Sequence, residues 1–272
     1  MAAYALSVVV PAYNEEQRLP ALLRALDQSF ESVLQTTTMS LFEVIVVDDG
    51  STDATARVVE QFDGLHGRLK LIRLPTNSGK GAAVRAGVLA ALGDRALMTD
   101  ADMSTPLHET AALSAEVDAG ADVAIGSRAL DDSQVLVRQT RFRELMGKSF
   151  NLMLRIGTGI PWRDTQCGFK LFRLDTVRQL FGAQRIDGFA FDAELCVNVR
   201  RAGLTLVEVP VRWSNHPDTR VRIAGSSSRM ALDAVRIALI ARRPWVTPPP
   251  TPIVGTPVTD SPAIPVGQPP PT

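Results

Sequence analysis

Short apolar runs alternate with amphipathic stretches through the first half of the chain. The runs have the Val- and Ile-rich character of buried strands, and they are Leu6–Val10, Glu43–Val47, Leu69–Leu74, Ala96–Thr99 and Asp122–Ile125. Apolar residues recur at helical spacing between them, in Arg18–Phe30, Ala54–Phe62, Gly81–Leu92 and Leu107–Ala119. Strands that alternate with helices predict an α/β fold around a doubly wound, mostly parallel sheet with flanking helices.

The unusual polar residues of the chain follow these predicted strands. They form the segments Pro11–Glu15, Asp48–Ser51, Asp100–Asp102 and Gly126–Arg128. In open α/β sheets, ligands bind beyond the carboxyl ends of the strands. We therefore expect a binding site at that edge.

Asp48 and Asp49 are adjacent acids at the end of a Val- and Ile-rich run. One interpretation is a turn followed by a helix cap, for which the Gly-Ser-Thr-Asp sequence after them is suited. Two neighbouring carboxylates also repel one another and lose hydration, which a turn alone does not require. The other interpretation is a ligand with N–H or hydroxyl donors, such as a nucleobase or a ribose.

Asp100 and Asp102 flank Ala101 directly after a buried strand. In an extended chain residues i and i+2 point to the same side, so both carboxylates can hold one hard divalent cation, Mg²⁺ or Mn²⁺. A capped loop before the next helix explains the same residues, and the two interpretations are compatible.

The segment Asn77–Gly81 precedes a predicted helix but is neither a P-loop nor a dinucleotide-binding glycine motif. It is either a flexible turn or a place where backbone N–H groups and Lys80 approach a nucleotide diphosphate. Asp164–Lys170 and Gly188–Glu194 are predicted to be loops with aromatic anchors. Asp192 is expected to begin a polar helix face.

Composition and charge narrow the class of protein. The chain has 272 residues, of which 45% are hydrophobic and 21% charged, which excludes a fully disordered or fibrous chain. The 29 basic and 29 acidic residues balance, so charge gives no indication of nucleic-acid binding. Residues 1–132 are nevertheless acidic and residues 133–272 basic, which predicts separate regions for cations and for anions.

The ends of the chain and its cysteines predict a cytoplasmic protein. We expect the two cysteines, Cys167 and Cys196, to be reduced, and we find neither a signal peptide nor a spanning apolar run. Pro244–Thr272 holds 11 of the 18 prolines and is predicted to be a disordered tail. Two basic amphipathic segments, Arg138–Arg155 and Arg229–Trp245, would either dock on the sheet or contact an anionic membrane.

Over about residues 6–243 the chain resembles the family 2 GT-A glycosyltransferases. The motifs that carry the resemblance are Val9–Glu15, Val46–Asp53, Asn77–Ala82, Asp100–Asp102 and Gly126–Arg128. Three more are similar to the dolichyl-phosphate β-glucosyltransferase branch and its bacterial polyprenyl-phosphate relatives, namely Asp164–Lys170, Gly188–Glu194 and Val207–Trp213. The N-terminal membrane helix of the eukaryotic glucosyl enzymes is not seen in this sequence, and the proline-rich tail is additional.

The resemblance implies a GT-A domain over 1–243, with a nucleotide-sugar-binding half at 1–132 and an acceptor- and membrane-facing half at 133–243, followed by the tail at 244–272. It implies that a UDP-glucose donor and a polyprenyl phosphate acceptor react in one inverting displacement. The implied nucleotide-sugar-binding residues are Pro11, Ala12, Tyr13, Glu15, Asp48, Asp49, Lys80, Asp100, Ala101 and Asp102, with Mg²⁺ or Mn²⁺ at Asp100 and Asp102. The implied catalytic residues are Asp102, Arg128, Gln166 and Asp192, and the implied acceptor or membrane contacts are Arg128, Arg220, Arg222 and Arg229.

Other functions remain open from the sequence. Within the class they are mannosyl or N-acetylhexosaminyl transfer to the same lipid, and glucosyl transfer to a soluble acceptor. A non-catalytic scaffold that binds nucleotide sugars at a membrane is the candidate from another class. A lipid acceptor favours the membrane interpretation of the basic segments, so we expect a peripheral protein on the cytoplasmic face of an anionic membrane, with a membrane protein as a further candidate partner.

Overall fold

A mixed sheet with helices on both faces organises the chain. The computed structural model describes residues 4–35, 42–137, 140–215, 223–247 and 256–257. Its strands are β1 (Tyr4–Ala12), β2 (Phe42–Asp48), β3 (Leu69–Arg73), β4 (Gly93–Thr99), β5 (Val123–Ser127), β6 (Gln134–Val137), β7 (Phe169–Arg173), β8 (Leu206–Pro210), β9 (Arg212–Ser214) and β10 (Thr256–Pro257). Its α-helices are α1 (Leu19–Gln35), α2 (Thr55–Glu60), α3 (Lys80–Ala90), α4 (Thr110–Asp118), α5 (Arg141–Thr158), α6 (Leu174–Ala183), α7 (Phe191–Arg201) and α8 (Ile223–Ala241).

The large sheet has the strand order β10-β3-β2-β1-β4-β7-β5-β8, and β6 pairs with β9 in a small separate sheet. Strands β1 to β4 are mutually parallel, and β5 is parallel to β8. Strand β7 lies antiparallel between β4 and β5, with Thr99 opposite Phe169. The reversed strand therefore starts at the edge where the parallel strands end, which brings the residues just before Phe169 to the expected site.

Each of the five predicted strands and four predicted helices is present, with ends that differ by a few residues. The helix predicted over Leu107–Ala119 starts as a 3₁₀ turn at Leu107–Glu109 and continues as α4. The doubly wound, mostly parallel sheet is confirmed. The antiparallel pairing of β7 with β4 and β5 was not predicted, because periodicity within one segment does not show the direction in which a strand runs.

Alternating side chains of the strands build one core layer on each face of the sheet. Val8 and Val10 pack in the layer that contains Leu22 of α1. Val9, which points the other way, packs in the layer that contains Val84 of α3 and Phe191 of α7. This period-2 pattern is what a sheet covered by helices on both faces requires.

The second-half motifs differ from the loops that were predicted. Asp164–Lys170 runs into β7 at Phe169, and Phe191 begins α7. The predicted polar helix face is wrong, since Asp192, Glu194 and Asn198 are all buried. The Asp192 and Glu194 carboxylates can be buried because each has a partner from another segment, namely the Lys170 ammonium and the Ile186 N–H.

The described parts of the two basic amphipathic segments lie mostly in α5 and α8. These helices cross closely where Gly157 of α5 meets Ala238 of α8. Phe150 and Leu154 of α5 and Ile237 of α8 are buried against the core. Within the described ranges, no helix is long and apolar enough to cross a membrane.

The predicted tail lies mostly outside the described residues. Within the predicted tail the structure describes residues 244–247 and Thr256–Pro257. Thr256–Pro257 is β10, which pairs with β3. Trp245 packs against the core, with its ring centroid 5.4 Å from the Arg201 guanidinium. Ordered packing thus extends slightly beyond residue 243, while disorder of the remaining tail stays a prediction.

Candidate active site

An ion pair at the carboxyl edge of the sheet joins the first residue of α3 to the residue that follows β4. The Lys80 ammonium lies 2.7 Å from Oδ1 of Asp100, and both side chains are partly exposed. Burial lowers the pKa of Lys80, but the carboxylates of Asp100 and Asp192 outweigh it and hold the pKa above its ordinary value. Lys80 is therefore charged at neutral pH, and its ammonium lies against the Asp100 carboxylate.

Asp49 fixes the loop that leads to Lys80. Its two carboxylate oxygens accept the backbone N–H groups of Ser78 at 2.7 Å and Gly79 at 2.8 Å. Burial is the main cause that raises the pKa of Asp49, and the two hydrogen bonds act against it. Gly79 has φ +107, and a Cβ there would overlap the backbone carbonyl of Asp187, so only glycine fits this close approach.

Asp48 and the residues after β1 hold the neighbouring loop. Asp48 is fully buried, accepts the Ser51 N–H at 2.8 Å through Oδ1 and has its Oδ2 3.4 Å from Nε of Arg73. Asn14, at φ 56, accepts the Thr52 N–H at 2.9 Å. The structure thus contains the turn that the paired acids predict, but the N-cap of α2 is Ala54, which makes no side-chain capping hydrogen bond. The nucleoside interpretation stays a prediction.

The remaining predicted nucleoside contacts line the same loop. Tyr13 is 43% exposed and therefore open to a ligand, whereas Ala12 is buried. Pro11 is half-buried, and Glu15 pairs with Arg18 at 2.6 Å.

Asp102 is half-buried, and its Oδ1 accepts the Ser104 N–H at 3.0 Å. The described residues contain no group of three or more His, Cys, Asp or Glu side chains suited to a metal ion. Proteins commonly hold Mg²⁺ through one or two carboxylates, and substrate phosphates complete the coordination. These donors therefore fit Mg²⁺ or Mn²⁺ bound together with a diphosphate. Asp102 is the stronger ligand candidate, because Lys80 already binds Asp100.

A bidentate ion pair fixes Arg128 after β5. Its Nε and Nη2 each lie 2.7 Å from an oxygen of Asp164, and its guanidinium stacks 5.2 Å from the ring centroid of Trp213. Burial raises the pKa of Asp164, but the Arg128 charge outweighs it and the pKa lies below its ordinary value. Glu208 accepts the Asp164 N–H at 2.8 Å and so anchors this segment to β8.

A second, fully enclosed ion pair joins β7 to α7. The Lys170 ammonium lies 2.5 Å from Oδ1 of Asp192 and also donates to the carbonyl of Cys167. Burial raises the pKa of Asp192, although the lysine charge acts against it. Glu194 is likewise satisfied, since it accepts the Ile186 N–H at 2.8 Å. These partners explain why the start of α7 is buried rather than solvated.

The structure thus gathers Lys80, Asp100, Asp102, Arg128 and Asp192 with the 164–170 segment, in which Gln166 is half-buried. Arg220 and Arg222 lie outside the described residues, as does the side chain of Arg229. Sequence reasoning assigned no role to Asp164, Lys170 or Glu208. A lysine inside the otherwise apolar run Phe169–Phe172 was the one signal that could have identified such a pair.

Comparisons with known proteins agree on a family. The sequence profile of glycosyl transferase family 2 matches residues 7–181. A dolichyl-phosphate β-glucosyltransferase of Trichomonas vaginalis is 36% identical over 241 residues, which cover 87% of this chain and 73% of that protein. The proteins of the same name from Drosophila melanogaster and Homo sapiens are 37% and 32% identical, over 85% and 86% of this chain and 74% and 75% of theirs.

Among solved structures, glucosyl-3-phosphoglycerate synthase from Mycobacterium tuberculosis superposes with a TM-score of 0.64. The match covers 88% of this chain and 80% of that one, and that crystal contains Mn²⁺, UDP-glucose and glycerol 3-phosphate. At 20% sequence identity, this likeness shows a shared fold and nothing finer.

Proposed function

The chain belongs to glycosyl transferase family 2, and from that premise we propose that it transfers glucose from UDP-glucose to a polyprenyl phosphate of the dolichyl type. The observation that carries the proposal is the 32–37% identity, over most of the chain, to dolichyl-phosphate β-glucosyltransferases from several eukaryotes. The product is polyprenyl-phosphate β-glucose. A phosphate oxygen of the acceptor forms the new bond to the anomeric carbon as the bond to UDP breaks, which inverts an α-linked donor.

The cations and carboxylates at the carboxyl edge suit the leaving group. Asp102, with Asp100 beside it, would hold Mg²⁺ or Mn²⁺, which would neutralise the charge that develops on the departing diphosphate. Lys80 adds a fixed positive charge at the same edge, and Asp49 sets its position through the 78–79 loop. Charge placed in advance where it develops stabilises the transition state without reorganisation.

The acceptor requires orientation more than activation. A phosphate monoester is already an anion near neutral pH, so no strong general base is needed. The enclosed position of Asp192 supports this view, because the Lys170 ammonium already occupies its carboxylate. Arg128 supplies positive charge near the predicted acceptor position, although Asp164 takes two of its donor nitrogens. Asp192 is therefore proposed to orient its surroundings rather than to move a proton.

We assign membrane contact to the exposed faces of α5 and α8, called here the α5–α8 face. Among the side chains that the structure describes there, the apolar ones are exposed by 40% to 78%, and they are Leu145, Met146, Leu152, Met153, Ile156, Leu232, Val235 and Leu239. Exposed bases lie on the same helices and just after them, at Arg155, Arg236, Arg242 and Arg243. Each base near an anionic surface contributes roughly 1 kcal/mol, so a few support reversible attachment. The free, buried thiols of Cys167 and Cys196 support a cytoplasmic placement.

Product analysis tests the proposed reaction. Purified protein is incubated with a polyprenyl phosphate in liposomes and with UDP-glucose, GDP-mannose or UDP-N-acetylglucosamine, and the extracted lipid is examined by mass spectrometry. We expect a hexose-phosphate lipid with UDP-glucose and a much smaller yield with the other two donors. Equal or greater transfer from GDP-mannose would replace the assigned donor, and no transfer from any donor would favour a scaffold.

Sedimentation with anionic liposomes tests the membrane assignment. Replacing Arg236, Arg242 and Arg243 by Gln should reduce sedimentation and its salt sensitivity while UDP binding is unchanged. The matched control is Arg57→Gln, an exposed base on α2. Parent-like sedimentation of the triple variant at all salt concentrations would refute the electrostatic attachment.

A further inference from the structure

Gly168 lies in contact with the carboxylate of Asp100. A Cβ placed on Gly168 would overlap Oδ2 of Asp100 and would lie 2.5 Å from its Cγ and 3.0 Å from its Oδ1. Real Cβ atoms essentially never come this close to another heavy atom. The contact arises because Thr99 of β4 and Phe169 of β7 are opposite each other, which places the two flanking residues side by side.

The Asp100 carboxylate is therefore held between two groups. Gly168 lies against it on one side, and the Lys80 ammonium lies 2.7 Å from its Oδ1. From this geometry we infer that Gly168 is a positioning residue, which lets Asp100 reach Lys80 and so sets both charges for the diphosphate. The effect of this positioning on diphosphate binding rests on the proposed function. The contact between Gly168 and Asp100 does not depend on that function.

The backbone at Gly168 has little freedom to relieve an added methyl group. The residue before it, Cys167, has its carbonyl bound by the Lys170 ammonium, and that ammonium is bound in turn by Asp192. Four residues before Gly168, Asp164 is fixed by the two nitrogens of Arg128. Asp100 is 35% exposed and is the freer partner, so an alanine at 168 should displace Asp100 rather than the strand.

The test compares Gly168→Ala with Gly188→Ala, a matched control whose added Cβ meets no heavy atom within 4 Å. Binding of UDP with Mn²⁺ is measured by titration calorimetry. We expect Gly168→Ala to weaken UDP binding about tenfold, the effect of one lost charge-assisted contact, and Gly188→Ala to bind like the parent. Circular dichroism should show both variants folded.

A double-mutant cycle separates positioning from general damage. In an Asp100→Ala background the clash is gone, so adding Gly168→Ala should cause no further loss of UDP affinity. The same loss in both backgrounds, or parent-like binding by Gly168→Ala, overturns the inference. A crystal structure of Gly168→Ala adds an independent readout, with Asp100 expected to leave Lys80. If the parent protein binds no UDP, that result would refute the proposed function. The position of Asp100 in the crystal structure would still decide whether Gly168 positions it.

Discussion

Removing the buried cation at Lys170 should strongly destabilise the fold. In the Lys170→Met variant Asp192 loses the ammonium at 2.5 Å, while its side chain stays only 4% exposed. Breaking a buried ion pair from one side costs about 3–5 kcal/mol, because the remaining charge has neither water nor a partner. For a domain of this size that loss lowers the Tm by about 10 °C.

The pH dependence of the stability tests the unpaired charge on Asp192 a second time. Burial already raises the pKa of Asp192, and loss of the lysine charge should raise it further. A carboxyl whose folded-state pKa exceeds its unfolded value destabilises the fold at neutral pH, and this cost fades as the pH falls through the folded-state pKa. The stability difference between the variant and the parent should therefore shrink from pH 7 to pH 5.

The assay is urea unfolding followed by circular dichroism at both pH values. A double variant, Lys170→Met with Asp192→Leu, removes both charges and should recover most of the lost stability. A free energy of unfolding for Lys170→Met within about 1 kcal/mol of the parent's, or an equal destabilisation at both pH values, would refute an unpaired buried charge at Asp192.

Three further outcomes follow from the site. Asp164→Asn should cost about 3 kcal/mol at pH 7. Because Arg128 holds the pKa of Asp164 below its ordinary value, urea unfolding should show this cost beginning to shrink below about pH 4 and lost as the pH falls through the folded-state pKa. Asp102→Asn should abolish turnover with an unchanged circular dichroism spectrum, and excess chelator should do the same to the parent; full activity in chelator would contradict a metal role. Asp49→Ala should chiefly raise the KM for the donor with a smaller effect on kcat, measured by steady-state kinetics; an unchanged KM with a lost kcat would oppose the assignment.

The parts of the fold that could be predicted from sequence are those that local patterns encode. The buried run at Val44–Val47 and the helical spacing after Lys80 each depend on residues close in the chain. Because parallel strands end at one edge of the sheet, the segments that begin at Asp48 and Asp100 could be assigned to that edge without any knowledge of packing.

The charge pairs of the second half could not be predicted in this way. Lys170 and Asp192 are 22 residues apart, and Arg128 and Asp164 are 36 apart. Each pair forms only because β7 inserts antiparallel between β4 and β5, and nothing in the local pattern specifies that insertion. Asp192 therefore looked like the start of a solvated helix face, although tertiary packing encloses it.

The most direct test of the central claim is the structure of the lipid product made from UDP-glucose. Parent protein and the Asp102→Asn variant are incubated with UDP-glucose, Mn²⁺ and a defined polyprenyl phosphate, and the purified lipid is analysed by proton NMR. We predict a glucosyl phosphate with a β anomeric linkage from the parent and none from the variant. An α linkage, no glucosyl lipid from the parent, or equal product from the variant would contradict the account.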